Sequence, residues 1–256
     1  MNGDNPLIRF VSKMYDGVWV AWTLFTMSVY TLFFGVSIML VAPFSRTGNF
    51  PYTLGRAWAW LIMRTNRVRV EVEGMEKLAR EKSYVFMANH ASNLDPPAVA
   101  VALRRTLRFV AKGSLRKIPV FGLAARLVRI IFIERGNTPQ VIRSINAACR
   151  DLRDGVSAFF FAEGTRSPDG TLLPFKKGGV RVALASHLPI VPVTIVGSNR
   201  LLPKKGWRIR PGVLRVIVGE PVDTEGYGLE DMDKLLSTVR ERIAVTLMAN
   251  GMPAEA

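Results

Sequence analysis

His90 and Asp95 are the residues of this chain whose types and spacing best suit chemistry. They stand five positions apart in Asn89-His90-Ala91-Ser92-Asn93-Leu94-Asp95, and the 256-residue sequence holds only two histidines. An imidazole beside a carboxylate can act as a general base whose tautomer is fixed by its neighbour. The same spacing also fits a histidine satisfied within a loop and an aspartate that caps a helix. Pro96-Pro97 follows directly, and proline suits the first helical turn. Spacing alone leaves both uses open.

Several other chemistries are missing from the sequence. There is no Gly-x-Ser-x-Gly elbow, no Gly-x-x-x-x-Gly-Lys phosphate loop and no His-Glu-x-x-His pair. Cys149 is the single cysteine, so neither an internal disulfide nor a cysteine-based zinc site can form. No metal ligand set and no cofactor are therefore expected. A base without a protein nucleophile suggests that the attacking hydroxyl belongs to a substrate and meets an activated carbonyl.

Such a reaction needs a place for the acceptor and stabilisation of developing negative charge. In Glu163-Gly164-Thr165-Arg166, Gly164 lets backbone approach a ligand and Arg166 offers a planar fork suited to phosphate. Arg135 and Lys112 end two other strand-like runs, and Lys176-Lys177 follow Pro174-Phe175. Any one of these cations alone reads as solvated surface. Several at strand ends of one sheet read as an anion site. His187 serves as a contrast, because it closes a helical pattern where a cation is expected at the carboxyl end.

The elements that must hold these residues alternate along the chain. Val68, Val70 and Val72 alternate with charged residues, as on a half-exposed strand, and residues 84–88 read as a buried strand leading into His90. Further strands are expected at 107–111, 130–133, 157–162, 190–196 and 213–218. Helices are expected at 96–104, 121–128, 138–155, 179–187 and 229–249. The alternation predicts an α/β fold with a mixed, largely parallel sheet flanked by helices. Sites in such folds gather at the carboxyl ends of strands, where both His90 and the 163–166 segment fall.

The N-terminal region differs from the rest. Residues 17–45 contain no Asp, Glu, Lys or Arg, and a bilayer core needs only about 20 apolar residues as a helix. The run is too long for the apolar region of a cleaved signal and has no polar face for a soluble helix. A second apolar stretch, residues 57–63, follows. The expectation is an N-terminal membrane-associated helical segment over 1–64, followed by a catalytic domain over 65–256. One span or two helices dipping into one leaflet would each fit. Arg46, Arg56, Arg64, Arg67 and Arg69 follow the run, against Arg9 and Lys13 before it, which favours a body facing the cytoplasm.

The formal net charge is +15. Nucleic acid, anionic headgroups or an acidic substrate could explain it, and the membrane segment favours the last two. No nucleic-acid-binding module is visible, so nucleic acid is not expected as a partner.

Four segments together resemble the glycerolipid acyltransferases, the group that contains the 1-acyl-sn-glycerol-3-phosphate acyltransferases. Residues 89–95 are similar to the first motif, Ile131-Phe132-Ile133-Glu134-Arg135 to the second, Phe161-Ala162-Glu163-Gly164-Thr165-Arg166-Ser167 to the third and Val191-Pro192-Val193 to the fourth. They occur in the family's order and cover residues 65–225. The family's second motif begins with Gly and carries Asp, where this chain has Arg129 and Glu134; its third has Pro where Ala162 stands.

The resemblance implies that His90 deprotonates a lysophospholipid hydroxyl while Asp95 orients the ring. The hydroxyl then attacks the thioester of acyl-CoA or acyl-acyl carrier protein. It further implies that Arg135, Glu163, Gly164, Thr165 and Arg166 bind the acceptor, that Val191 to Val193 line the donor site, and that Asn89 and Ser92 hold the His-bearing loop; Lys112 joins the acceptor-binding candidates by its strand-end position alone. The expected product is phosphatidate from lysophosphatidate at the cytoplasmic (inner) membrane. Another lysolipid or glycerol 3-phosphate is the alternative acceptor. The rival from a different class is a non-enzymatic basic protein of the membrane surface, with steep salt dependence and no sensitivity to His90.

Overall fold

The computed structural model describes residues 6–133, 149 and 151–254. Its centre is a seven-stranded sheet in the order β1-β7-β6-β2-β5-β3-β4. The strands are β1 (Val68–Glu73), β2 (Val85–Ala88), β3 (Leu107–Lys112), β4 (Ile131–Ile133), β5 (Ser157–Phe161), β6 (Ile190–Val196) and β7 (Gly212–Val218). Strands β6, β2, β5, β3 and β4 run parallel to one another. β1 and β7 are also mutually parallel, and the pair joins the rest through the antiparallel contact of β7 with β6. The sheet is therefore mixed and largely parallel, as the alternation of elements predicts. The reversal has one consequence for the site: the starts of β1 and β7 lie at the same sheet edge as the carboxyl ends of the other five strands.

Strand sequences follow from their place in the sheet. β2 sits in the middle, covered on both faces, and all four residues of Val85-Phe86-Met87-Ala88 are buried. Phe86 and Ala88 face one core, with Leu214, Val216, Val218, Val191 and Val193. Val85 and Met87 face the other, with Ala158, Phe160 and Ile190. β1 is an edge strand whose outward positions carry Arg69, Glu71 and Glu73, and charge on an edge discourages pairing with another chain.

Helices cover both faces. On the first lie α2 (Asn49–Thr65) and α3 (Asp95–Leu103), with α4 (Phe121–Leu127) beyond them. On the second lie α5 (Gly178–Ser186) and α7 (Met232–Ala249), which buries Leu235, Val239, Ile243 and Leu247 along one stripe. α6 (Ser198–Leu201) is one turn after β6. The expected helix from Thr138 lies outside the described residues except for Cys149; the chain then turns through Asp154 and Gly155, at φ 53° and 77°, before entering β5.

α1 (Pro6–Val41) has 36 residues, about 54 Å at 1.5 Å per residue. Within Met14–Phe44 the most apolar 18-residue window has a mean hydropathy of 2.0, and the helix is long and apolar enough to cross a membrane. One stripe of α1 is docked along the body. The Trp19 indole N–H donates to Ile209 O at 3.0 Å, Thr23 Oγ1 to Asn66 Oδ1 at 2.9 Å, and the Trp58 indole N–H to Thr31 Oγ1 at 3.1 Å. Further along, Tyr30 and Thr65 hydroxyls meet at 2.9 Å, and Gly35 packs so closely on Val120 that a Cβ there would come within 2.4 Å of its Cγ1. The opposite stripe leaves Val18, Trp22, Phe25, Val29, Leu32, Phe33 and Leu40 exposed. Ile38 of α1 and Tyr52, Ala59 and Met63 of α2 share the core of the first sheet face.

Candidate active site

β2 delivers Asn89 and His90 at its carboxyl end. Asn89 continues the strand with its side chain: Nδ2 donates to Ile195 O at 3.0 Å and Oδ1 accepts from Ile195 N at 2.8 Å, replacing a step of the β-ladder. The loop then closes on Ser92, whose hydroxyl donates to Leu202 O at 2.8 Å and accepts from Leu94 N at 3.1 Å. Both residues are buried, so these bonds act in a poorly solvated setting where an unpaired partner would be costly. Asn89 and Ser92 thus hold the His-bearing loop.

Within that loop His90 Nδ1 lies 2.7 Å from Asp95 Oδ2. The helix-cap reading of Asp95 needs correcting. Leu94 occupies the cap position of α3 without a side-chain cap bond, and Asp95 is the first helical residue. Its Oδ2 turns back into the loop and accepts from the Ala91 and Ser92 backbone N–H groups, both at 2.8 Å, as well as facing the imidazole. The pattern suits a carboxylate, so Nδ1 carries the proton and Nε2 keeps its lone pair. Asp95 is completely buried, while the His90 side chain is 15% exposed. The imidazole stacks on Phe161, centroids 4.0 Å apart and planes 24° apart, which removes the remaining freedom of the ring.

Phe161 ends β5, next to β2, and the chain continues through Glu163, Gly164, Thr165 and Arg166. Three backbone-level contacts bind this segment to the histidine loop. Ala162 N donates to Ala88 O at 2.8 Å, Ser167 N donates to His90 O at 2.7 Å, and His90 N donates to Glu163 Oε1 at 2.7 Å. Glu163 Oε2 accepts from Leu173 N at 3.3 Å. The side chain is buried, bonded to backbone on both oxygens, and so acts on the position of His90 from below. Burial pushes its carboxyl up from 4.5 to about 7; the two N–H donors and Lys204 oppose the shift, and the Asp95 charge adds to it.

Gly164 and Thr165 are exposed at this edge. Gly164 has φ 66°, a left-handed conformation that disfavours any side chain, although a Cβ would have room, 3.5 Å from Lys176 Cγ. Arg166 is half-buried and clasped to Lys204. Its Nη1 donates to Lys204 O at 3.1 Å, and Lys204 Nζ donates to Arg166 O at 2.6 Å. Two cations are thereby fixed beside the histidine loop, with Lys176 next to Gly164. Lys112, exposed at the end of β3, belongs to the same sheet edge two strands from β2. Arg135 lies outside the described residues.

Sequence reasoning missed the roles of Lys204 and Phe161. Lys204 is 38 residues from Arg166 in the chain, in a basic loop that reads equally well as solvated surface. Phe161 is an ordinary strand residue until the stacking is seen. Val191 and Val193, expected beside a donor, are fully buried in the sheet core. A cavity of about 460 Å³ between α2, β1 and α3, lined by Trp60, Met63, Arg64, Arg67 and Val101 among others, includes none of the expected site residues.

Chemically, the arrangement offers a fixed imidazole with an open Nε2, a carboxylate behind it and cations at hand for an anionic ligand. Comparison with known proteins gives the family of the chain. Residues 69–196 match the family model described as Acyltransferase. The chain is 32% identical over 225 residues to 1-acyl-sn-glycerol-3-phosphate acyltransferase of Limnanthes alba, covering 86% of this chain and 78% of that protein. It is 34% identical over 174 residues to the human 1-acyl-sn-glycerol-3-phosphate acyltransferase alpha, covering 68% and 62%. The crystal structure of the 1-acyl-sn-glycerophosphate (LPA) acyltransferase PlsC from Thermotoga maritima superposes with a TM-score of 0.78 at 28% identity, over 95% of this chain and 99% of that one.

Proposed function

The chain belongs to the acyltransferase family, and from that premise we propose that it acylates the sn-2 hydroxyl of 1-acyl-glycerol-3-phosphate to give phosphatidate. The relatives' names support this acceptor. The observation that carries the reading is the 2.7 Å contact of His90 Nδ1 with Asp95 Oδ2, beside the clasped Arg166 and Lys204.

His90 Nε2 takes the proton of the acceptor hydroxyl as its oxygen attacks the thioester carbonyl of acyl-CoA or acyl-acyl carrier protein. Asp95 stabilises the imidazolium that forms. The new ester C–O bond replaces the C–S bond, and the departing thiolate takes the proton from His90. No acyl group is attached to the protein at any stage. Arg166, with Lys204, Lys112 and Arg135, holds the acceptor phosphate, and the exposed Gly164–Thr165 backbone lets it approach. Glu163 holds the His90 loop in place. The reaction takes place at the cytoplasmic face of the inner membrane, where α1 keeps the site close to its lipid substrate.

A panel of acceptors (lysophosphatidate, glycerol 3-phosphate and lysolipids with other headgroups), each offered with labelled acyl-CoA and acyl-acyl carrier protein, tests the reading. Phosphatidate formation from lysophosphatidate should dominate with at least one donor. Dominant transfer to an acceptor without a phosphate monoester would overturn it.

A further inference from the structure

The loop over residues 203–211, between α6 and β7, joins the candidate site to the membrane helix. At one end Lys204 is clasped to Arg166. In the middle the Arg208 guanidinium pairs with Asp16 of α1 and lies over the Tyr15 ring, 5.5 Å from its centroid. Ile209 O accepts the Trp19 indole N–H, and Gly212 N bonds to Arg67 O at the start of β1. Asp16 is the last charged residue before the uncharged run of 17–45, so the Asp16–Arg208 pair marks the depth at which α1 passes from polar to apolar surroundings.

Trp207 stands beside that pair and is 73% exposed, among the largest exposures of any apolar side chain in the described protein. Lys205 and Arg210 flank it and are also exposed. An indole bracketed by cations, held at the polar-to-apolar boundary of a lipid-facing helix, has the composition of an interfacial anchor rather than of a solvated turn.

We propose that this loop is a second membrane contact, with Trp207 seated at headgroup depth and Lys205 and Arg210 on the phosphates of an anionic bilayer. Because Lys204 belongs to the same loop, docking presents the clasped cations at the depth of the acceptor's own phosphate. This last step rests on the function proposed above; the contact itself does not.

The test uses the full-length protein with Cys149→Ser and a single environment-sensitive label on Trp207→Cys, compared with one on Glu241→Cys of α7, on the opposite face. In phosphatidylcholine vesicles containing phosphatidylglycerol and brominated lipid, the label at 207 should be quenched and the label at 241 should not. Equal behaviour of the two labels, or equal quenching at 207 without phosphatidylglycerol, would overturn the proposal. Lys205→Ala and Arg210→Ala should each raise the KM for vesicle-borne lysophosphatidate about fivefold, as expected for one interfacial cation, and leave the KM for a short-chain, water-soluble lysophosphatidate unchanged. An equal rise for both acceptors would place the loop in the acceptor pocket instead. Quenching does not depend on turnover, so failure of the acyltransferase reading would leave that arm intact.

Discussion

Asp95 concentrates three hydrogen-bonding partners on one oxygen, and this explains how a five-residue spacing becomes a fixed hydrogen-bonded pair. The two backbone N–H groups fix the carboxylate, and the carboxylate fixes the ring. Asp95→Asn keeps the volume but places a neutral amide behind the imidazole. The expected result is a fall in kcat of roughly a hundredfold or more, with KM changed little and the circular dichroism spectrum retained.

Glu163 makes a separate prediction at the same scale. Its carboxyl titrates near 4.5 in an unfolded chain and about 7 when folded. Below about 4.5 both states hold the proton. Between the two values only the folded state does, so the stability associated with the neutral side chain is lost as pH rises through about 7. Against Glu163→Gln, the wild-type unfolding free energy should decline between about pH 4.5 and about pH 7, with a full amplitude on the order of 3 kcal/mol that thermal melts at each pH report as a falling melting temperature. Parallel melting curves for the two proteins across that range would contradict the buried, raised carboxyl.

At the scale of elements, side chains and glycines carry joints that strands and helices cannot. Asn89→Ala would leave Ile195 N and O unpaired in the core and should cost about 2–4 kcal/mol in chemical denaturation. Gly122, in the first turn of α4, lies so close to the preceding turn that a Cβ would come within 2.2 Å of Arg116 O. Gly122→Ala must therefore move backbone, and a loss of about 1–3 kcal/mol is expected. Much at this scale was legible in the sequence. The all-apolar run before Asn89 reads as a buried strand, and the described strands begin and end within a residue or two of their expected limits. The reversed direction of β7 and β1 was not legible, because local patterns carry no information about which neighbour a strand will choose. The clasp of Arg166 with Lys204 escaped for the same reason, since only the folded sheet edge brings the two loops together. Asp95 as a loop organiser was hidden by the prolines after it, which suit a helix start whichever way the carboxylate turns.

At the scale of the whole molecule, one long apolar helix lies along the sheet edge that carries His90. Its inner stripe is joined to the body by hydrogen bonds from Trp19 to Ile209 O and from Trp58 of α2 to Thr31, and its outer stripe remains apolar and exposed. The composition suits membrane association through area rather than charge alone, despite a net charge of +15. High salt, which screens surface charge within a few ångströms at molar concentration, should leave the protein on membranes, and detergent should release it. Release by salt alone would contradict the role given to α1.

The central claim is that His90 acts as a base on the acceptor hydroxyl and that the protein never carries the acyl group. Single-turnover transfer with labelled donor, followed by mass spectrometry of the intact chain, tests it in the wild type and in His90→Ala. The wild type should transfer label to lysophosphatidate with no acylated protein at any time, and purified, folded His90→Ala should transfer almost none. Undiminished transfer by His90→Ala, or label on the wild-type chain that chases into product, would contradict it.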